Sequence, residues 1–156
     1  MDETARPGER PEDYVKRVAR EKAMAAGAAP SEIVLGADTV VVIGGEILGK
    51  PNGSADAERM LGLLAGREHQ VLTGICLRRG VAMVIDCART RVWFMPLTRK
   101  QIADYVASGE PMDKAGAYAI QGLASKFIER IEGSYTNVVG LPIELVNRHL
   151  RKWEHE

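Results

Sequence analysis

The chain has 156 residues, 46% of them hydrophobic and 27% charged, enough to bury one sizeable core and to predict a single domain over residues 1–156. Its 21 basic and 21 acidic side chains cancel to a formal net charge of zero, which argues against nucleic-acid or membrane binding through bulk charge. Cys76 and Cys87, both in apolar strand-like stretches with no secretory leader ahead of them, read as reduced thiols of a cytosolic protein, and no apolar run reaches membrane-spanning length.

The first ten residues are polar and start no core. Pro11 then takes the first-turn position of a predicted helix, with Glu12 and Asp13 near its positive end. Val15, Val18, Ala19 and Lys22 follow the i, i+3, i+4, i+7 spacing of an amphipathic helix, which puts Lys22 on the inward face. That lysine is either a snorkelling side chain at the helix end or an ammonium aimed at an anion such as phosphate. Gly27 and Pro30 close the helix.

Residues 33–43 form a β-branched, apolar run interrupted by Asp38, and predict a strand buried on both faces. A carboxylate there is costly unless a cation, a metal ion or a ring of donors compensates it, so Asp38 is the leading functional candidate. The alternative is a carboxylate at the strand's end that caps a neighbouring loop. Gly44-Gly45 predicts a tight hairpin turn returning through residues 46–51. Pairing Ile43 with Glu46 sets Lys50 opposite Thr39 and one step from Asp38; a slip or bulge at Gly49 would change the face that Lys50 takes.

Ser54 reads as the cap of a helix with Met60, Leu61 and Leu64 inward and Gly66 as its stop. Residues 69–77, 81–87 and 89–94 predict a meander of three strands. Thr98-Arg99-Lys100-Gln101 has the capping-box form, with Ile102, Tyr105 and Val106 on the apolar face of the helix it opens. Pro142 starts a last helix carrying Leu145, Val146, His149 and Leu150. His69, at a strand start, is expected to be structural. Between these helices, Gly116 and its small neighbours allow close approach of backbone or ligand. Gln121, between Ile120 and Gly122, is an amide in apolar surroundings, suited either to reading a nucleobase edge or to satisfying a neighbouring loop. Asp113-Lys114 can be an ordinary surface ion pair.

Five motifs occur in order: Ala37-Asp38-Thr39-Val40-Val41, Leu48-Gly49-Lys50-Pro51, Gly109-Glu110-Pro111-Met112-Asp113-Lys114-Ala115-Gly116-Ala117-Tyr118, Ile120-Gln121-Gly122 and Val139-Gly140-Leu141-Pro142. Together, from about Asp2 to Leu150, they resemble the Maf family of nucleoside triphosphate pyrophosphatases. The resemblance implies an α/β fold of the inosine-triphosphatase type, with a long mixed sheet flanked by helices and a cleft between two lobes. It makes Asp38 the general base and a metal ligand, Thr39 a specificity position, Lys22 and Lys50 the phosphate-binding lysines, and Gln121 the base-reading amide. Asp2-Glu3 match an acidic pair, of which Glu3 is taken as the further metal ligand.

Thr39 together with Ile120-Gln121-Gly122 resembles the branch acting on dTTP and UTP rather than on 7-methyl-GTP. The implied reaction is hydrolysis between the α- and β-phosphates, giving a nucleoside monophosphate and pyrophosphate with Mg²⁺ or Mn²⁺ as cofactor. A cytoplasmic location and a homodimer are further implications. Similar proteins open with a strand and a Ser-x-Ser-Pro-Arg-Arg loop that this sequence lacks. The expectation is a domain shortened at its N-terminus, with weak or absent hydrolysis if the chain starts at Met1. The alternative function is a non-catalytic nucleotide-binding or cell-division regulatory protein, its activity lost with that segment.

Overall fold

In the computed structural model, which describes residues 4–154, the chain runs α1 (Pro11–Ala25), β1 (Val34–Ile43), β2 (Glu46–Leu48), α2 (Ser54–Leu64), β3 (Glu68–Arg79), β4 (Ala82–Phe94), α3 (Arg99–Ala107), β5 (Ile128–Glu132), α4 (Tyr135–Val139) and α5 (Ile143–Glu154). The strands form one sheet in the order β2-β1-β3-β4-β5. Helices flank it, as the α/β reading required. Every pairing among the described strands is antiparallel, where a mixed sheet was expected. The reason is topological: the α2 crossover does join two strands of like direction, β2 and β3, but β1 lies between them.

The hairpin register is the expected one, with Ile43 opposite Glu46 and Val41 opposite Leu48. Two of the expected strands, 81–87 and 89–94, are instead one unbroken strand, because nothing at Ala88 interrupts its pairing with Thr73. Ser54 is the first residue of α2 rather than its cap; Gly53 holds that position, and the Asp56 carboxylate accepts the Asn52 N–H at 2.9 Å. The Thr98–Gln101 capping box forms in both directions.

β1 is not buried throughout. Val40, Val41 and Ile43 are buried, whereas Leu35 is 40% exposed, because β2 covers the β1 edge only from Val41 onward. Helix α1 packs on one sheet face, where Tyr14, Val15 and Val18 meet Val40 and Leu72. Gly36 and Gly74 make this approach possible. A Cβ on Gly36 would overlap the Ala19 carbonyl, and one on Gly74 would meet the Val15 carbonyl and the Lys16 nitrogen. The opposite face carries the main core, built from Val41, Val71, Val92 and Phe94 against α2 and α3. Farther along that face, Val146 and Trp153 of α5 cover Ile75 and Leu77. Among the described residues no helix is long and apolar enough to cross a membrane.

Candidate active site

Where β2 stops pairing with β1 at Leu48, the chain diverges through Gly49, Lys50 and Pro51, and a cavity of about 540 Å³ opens beside the uncovered edge of β1. Pro51 has no N–H with which to continue the ladder. Lys22, Asp38, Thr39, Lys50 and Gln121, which the sequence spreads over a hundred positions, all line this one space. Glu3, the second expected metal ligand, lies outside the described residues, as does Asp2.

Asp38 stands on the α1 side of the sheet, opposite Gly74. Its side chain is only 16% exposed, and the Lys22 ammonium lies 3.1 Å from its Oδ1. The same ammonium donates to the Ala37 carbonyl at 3.3 Å, on the strand edge. The close fit of α1 on Gly36 and Gly74 therefore delivers Lys22 to the carboxylate: helical spacing points the side chain, and the missing Cβ atoms bring the helix near enough. The ion pair orients the carboxylate at the cavity wall.

Thr39 faces the other way. Its hydroxyl lies 2.8 Å from that of Thr73 and donates to the Gly140 carbonyl at 3.3 Å, which ties β1 to the turn after α4. Gln121 is exposed on the cavity wall, not in the apolar surroundings expected for it, because it stands on the outer side of a turn whose Ile120 is the residue buried in the core. Lys50 is exposed at the mouth.

Two groups were read from sequence as a possible surface pair and belong to the site. Asp113 and Lys114 make a 2.7 Å ion pair on the cavity wall. The Lys114 hydrogen bond, with the Lys50 charge beyond it, holds the Asp113 carboxyl below its ordinary range. Gly116 brings this loop in: its N–H donates to the Gly49 carbonyl at 3.0 Å, and a Cβ there would lie 2.5 Å from a Val41 methyl. Gly116 and Ala117 both have positive φ, 71° and 66°, so the turn is unusual for Ala117 and suited to glycine at 116. The only local hint of all this was the density of small residues.

Three ammonium groups, Lys22, Lys50 and Lys114, thus face the cavity against two carboxylates, Asp38 and Asp113. Such a surplus suits a polyanion, and the volume suits a nucleotide-sized ligand. Among the described residues no three His, Cys, Asp or Glu side chains gather into a metal-binding group. Asp38 nonetheless offers a hard oxygen donor at the cavity wall. Magnesium-type ions are commonly held by one or two carboxylates together with substrate phosphates and water, so this donor set fits such an ion.

A family model described as Maf-like protein matches residues 1–153. The chain is 52% identical over 155 residues to a dTTP/UTP pyrophosphatase of Anaeromyxobacter dehalogenans (strain 2CP-C), a match covering 97% of this chain and 78% of that protein. A dTTP/UTP pyrophosphatase of Symbiobacterium thermophilum is 54% identical over 144 residues, 92% of this chain and 74% of that one. A third, from Koribacter versatilis, is 48% identical over 146 residues, 93% of this chain and 76% of its own length.

Proposed function

The chain belongs to the Maf-like protein family, and on that premise we propose that it is a nucleoside triphosphate pyrophosphatase acting on dTTP and UTP. The observation that carries this reading is the Asp38 carboxylate, 16% exposed and 3.1 Å from the Lys22 ammonium, on the wall of a cavity with a surplus of lysines. Water attacks the α-phosphorus, the α–β phosphoanhydride breaks, and the products are a nucleoside monophosphate and pyrophosphate. Asp38 takes the proton of the attacking water and aligns it, a contribution typically worth about 10²–10⁴-fold in rate. Lys22 pairs with that carboxylate and holds it at the cavity wall. Lys50 and Lys114, near the mouth, offset the charge that grows on the departing pyrophosphate. Gln121 meets the base: uracil and thymine present an N–H beside a carbonyl, and a carboxamide offers the matching acceptor and donor.

Asp38, together with Glu3, would hold a divalent ion, Mg²⁺ or Mn²⁺. When bound, that ion supplies charge neutralisation on the phosphate oxygens. We place the protein in the cytoplasm, a reducing compartment that suits free thiols such as Cys76 and Cys87.

The test is a nucleotide panel with Mg²⁺ or Mn²⁺, scored for pyrophosphate, on wild type and Asp38→Asn. Wild type should release pyrophosphate fastest from dTTP and UTP, and Asp38→Asn should lose about 10²–10⁴-fold. Equal rates in the two proteins would remove Asp38 from the mechanism. Tight dTTP binding without pyrophosphate release by wild type would favour a non-catalytic nucleotide-binding protein instead.

A further inference from the structure

We propose that Tyr105 and Glu110 form a clamp that fixes residues 119–123, and with them the Gln121 side chain, at the base end of the cavity. Both act as positioning residues, and the proposal rests on the reading of Gln121 as the group that meets the nucleobase. The Ala119 N–H donates to the Tyr105 hydroxyl oxygen at 3.1 Å, and the Leu123 N–H donates to Glu110 Oε1 at 3.0 Å. The two donors lie two residues on either side of Gln121. The clamp is closed on itself, because the Tyr105 hydroxyl donates to Glu110 Oε2.

The fit around it is close. A Cβ on Gly122 would overlap the Glu110 carboxylate, so glycine at 122 is what lets the carboxylate lie along the turn. The Gly122 N–H closes that turn onto the Ala119 carbonyl at 3.1 Å. Behind the clamp, the Ser108 hydroxyl accepts the Glu110 N–H at 3.2 Å, and the Tyr105 ring packs edge-on against Phe127 at 5.4 Å. Gln121 itself is exposed, so the precision of its placement comes from the backbone that carries it. Hydrogen bonds to a charged acceptor are about twice as strong as neutral ones, which suits a carboxylate to this task.

Hydrolysis of dTTP and competitive inhibition by inorganic tripolyphosphate, which has no base, separate the two ends of the cavity. Tyr105→Phe and Glu110→Ala should each raise KM for dTTP about tenfold, the value of one lost hydrogen bond, and leave kcat and the tripolyphosphate inhibition constant within about twofold. Glu110→Gln still accepts from Leu123 and can donate to the tyrosine oxygen, so it should recover most of the affinity. In a Gln121→Ala background, Glu110→Ala should cost nothing further. Thermal melting of each variant reports whether the fold is kept. The clamp is overturned by a KM that does not move, by KM and the tripolyphosphate constant rising together, or by a full added loss in the Gln121→Ala background. If Gln121→Ala alone leaves KM for dTTP unchanged, the base-contact reading falls and the clamp with it. A Gln121 effect without a Glu110 effect removes the clamp alone.

Discussion

His69 Nε2 lies 2.7 Å from the Tyr118 hydroxyl, and its ring is enclosed edge-on by Phe94 and Tyr118. Nδ1 finds no partner among the described residues. Burial pushes the imidazole from its ordinary 6.5 down to about 4, so the folded protein keeps it neutral where the unfolded chain charges it. Between those two values the unfolded state binds the extra proton, and stability falls as the pH is lowered through the window, by up to about 3 kcal/mol. Urea denaturation at pH 7 and pH 4.5 checks this: wild type should lose stability, and His69→Phe should lose much less. Glu9 works in a lower window. The Arg17 hydrogen bond first, then the Arg6 N–H, hold its carboxyl down at about 2 instead of 4.5. Its contribution is complete above the ordinary carboxylate range and disappears only as the pH approaches 2, so the two groups are separable. At this scale the sequence was most informative where a residue was energetically out of place. Asp38 in an apolar strand and Lys22 on an apolar helix face were both visible for that reason. Lys114 was not, because what carries it to the cavity is the contact of Gly116 with Gly49 and Val41, of which the only local trace was a density of small residues that names no partner.

At the scale of elements, the decisive contact is between the α1 backbone and the two glycines beneath it. Gly74→Ala would place a Cβ against the Val15 carbonyl and 2.7 Å from the Lys16 nitrogen, groups that cannot swing aside as a side chain can. The helix must lift, at an expected cost of about 1–3 kcal/mol. Because Lys22 rides on the same helix, dTTP hydrolysis should also fall in protein that remains folded. Gly62→Ala provides the contrast. That glycine lies in α2 with nothing within 4 Å of an added Cβ, and the change should stabilise by up to about 1 kcal/mol. Denaturant midpoints and dTTP turnover of the two variants form the test, and a Gly74→Ala protein as stable and active as wild type would refute this account of α1. The helix itself was legible from its period, and the β1–β2 hairpin from Gly44-Gly45. The close approach was not, since Gly36 and Gly74 come together only through the β1–β3 pairing, in which Gly36 faces Cys76 and Asp38 faces Gly74. β5 was missed as well. It is a five-residue strand, Ile128–Glu132, paired only with β4 among the described strands, and the adjacent charges Glu129 and Arg130, with a register shift beside them, break the alternation that would have marked it.

For the whole molecule, the α/β fold class came from the resemblance to the Maf family, whereas the direction of the strands could not be read from the strand and helix signals. Strand direction depends on which neighbour each strand chooses, and β1 inserts between β2 and β3 without any sequence feature that announces it. Charge behaves in the same way. The chain as a whole is neutral, with 21 basic and 21 acidic side chains, yet the cavity gathers three lysines against two carboxylates. Screening at physiological salt falls off over about 8 Å, so a charge acts on the substrate only if it lies close to it. Location, not total charge, should therefore govern recognition. Lys50→Met and Lys100→Met remove the same single charge from the molecule. Lys50 lines the cavity, while Lys100 is exposed on α3 and pairs with Asp104 at 2.7 Å. Lys50→Met should raise both KM for dTTP and the tripolyphosphate inhibition constant by about tenfold, the weight of one charge-assisted contact, and Lys100→Met should change neither beyond about twofold. Equal losses in the two variants would mean that the protein attracts its substrate through its overall field, and that the gathering of lysines around Asp38 has no part in binding.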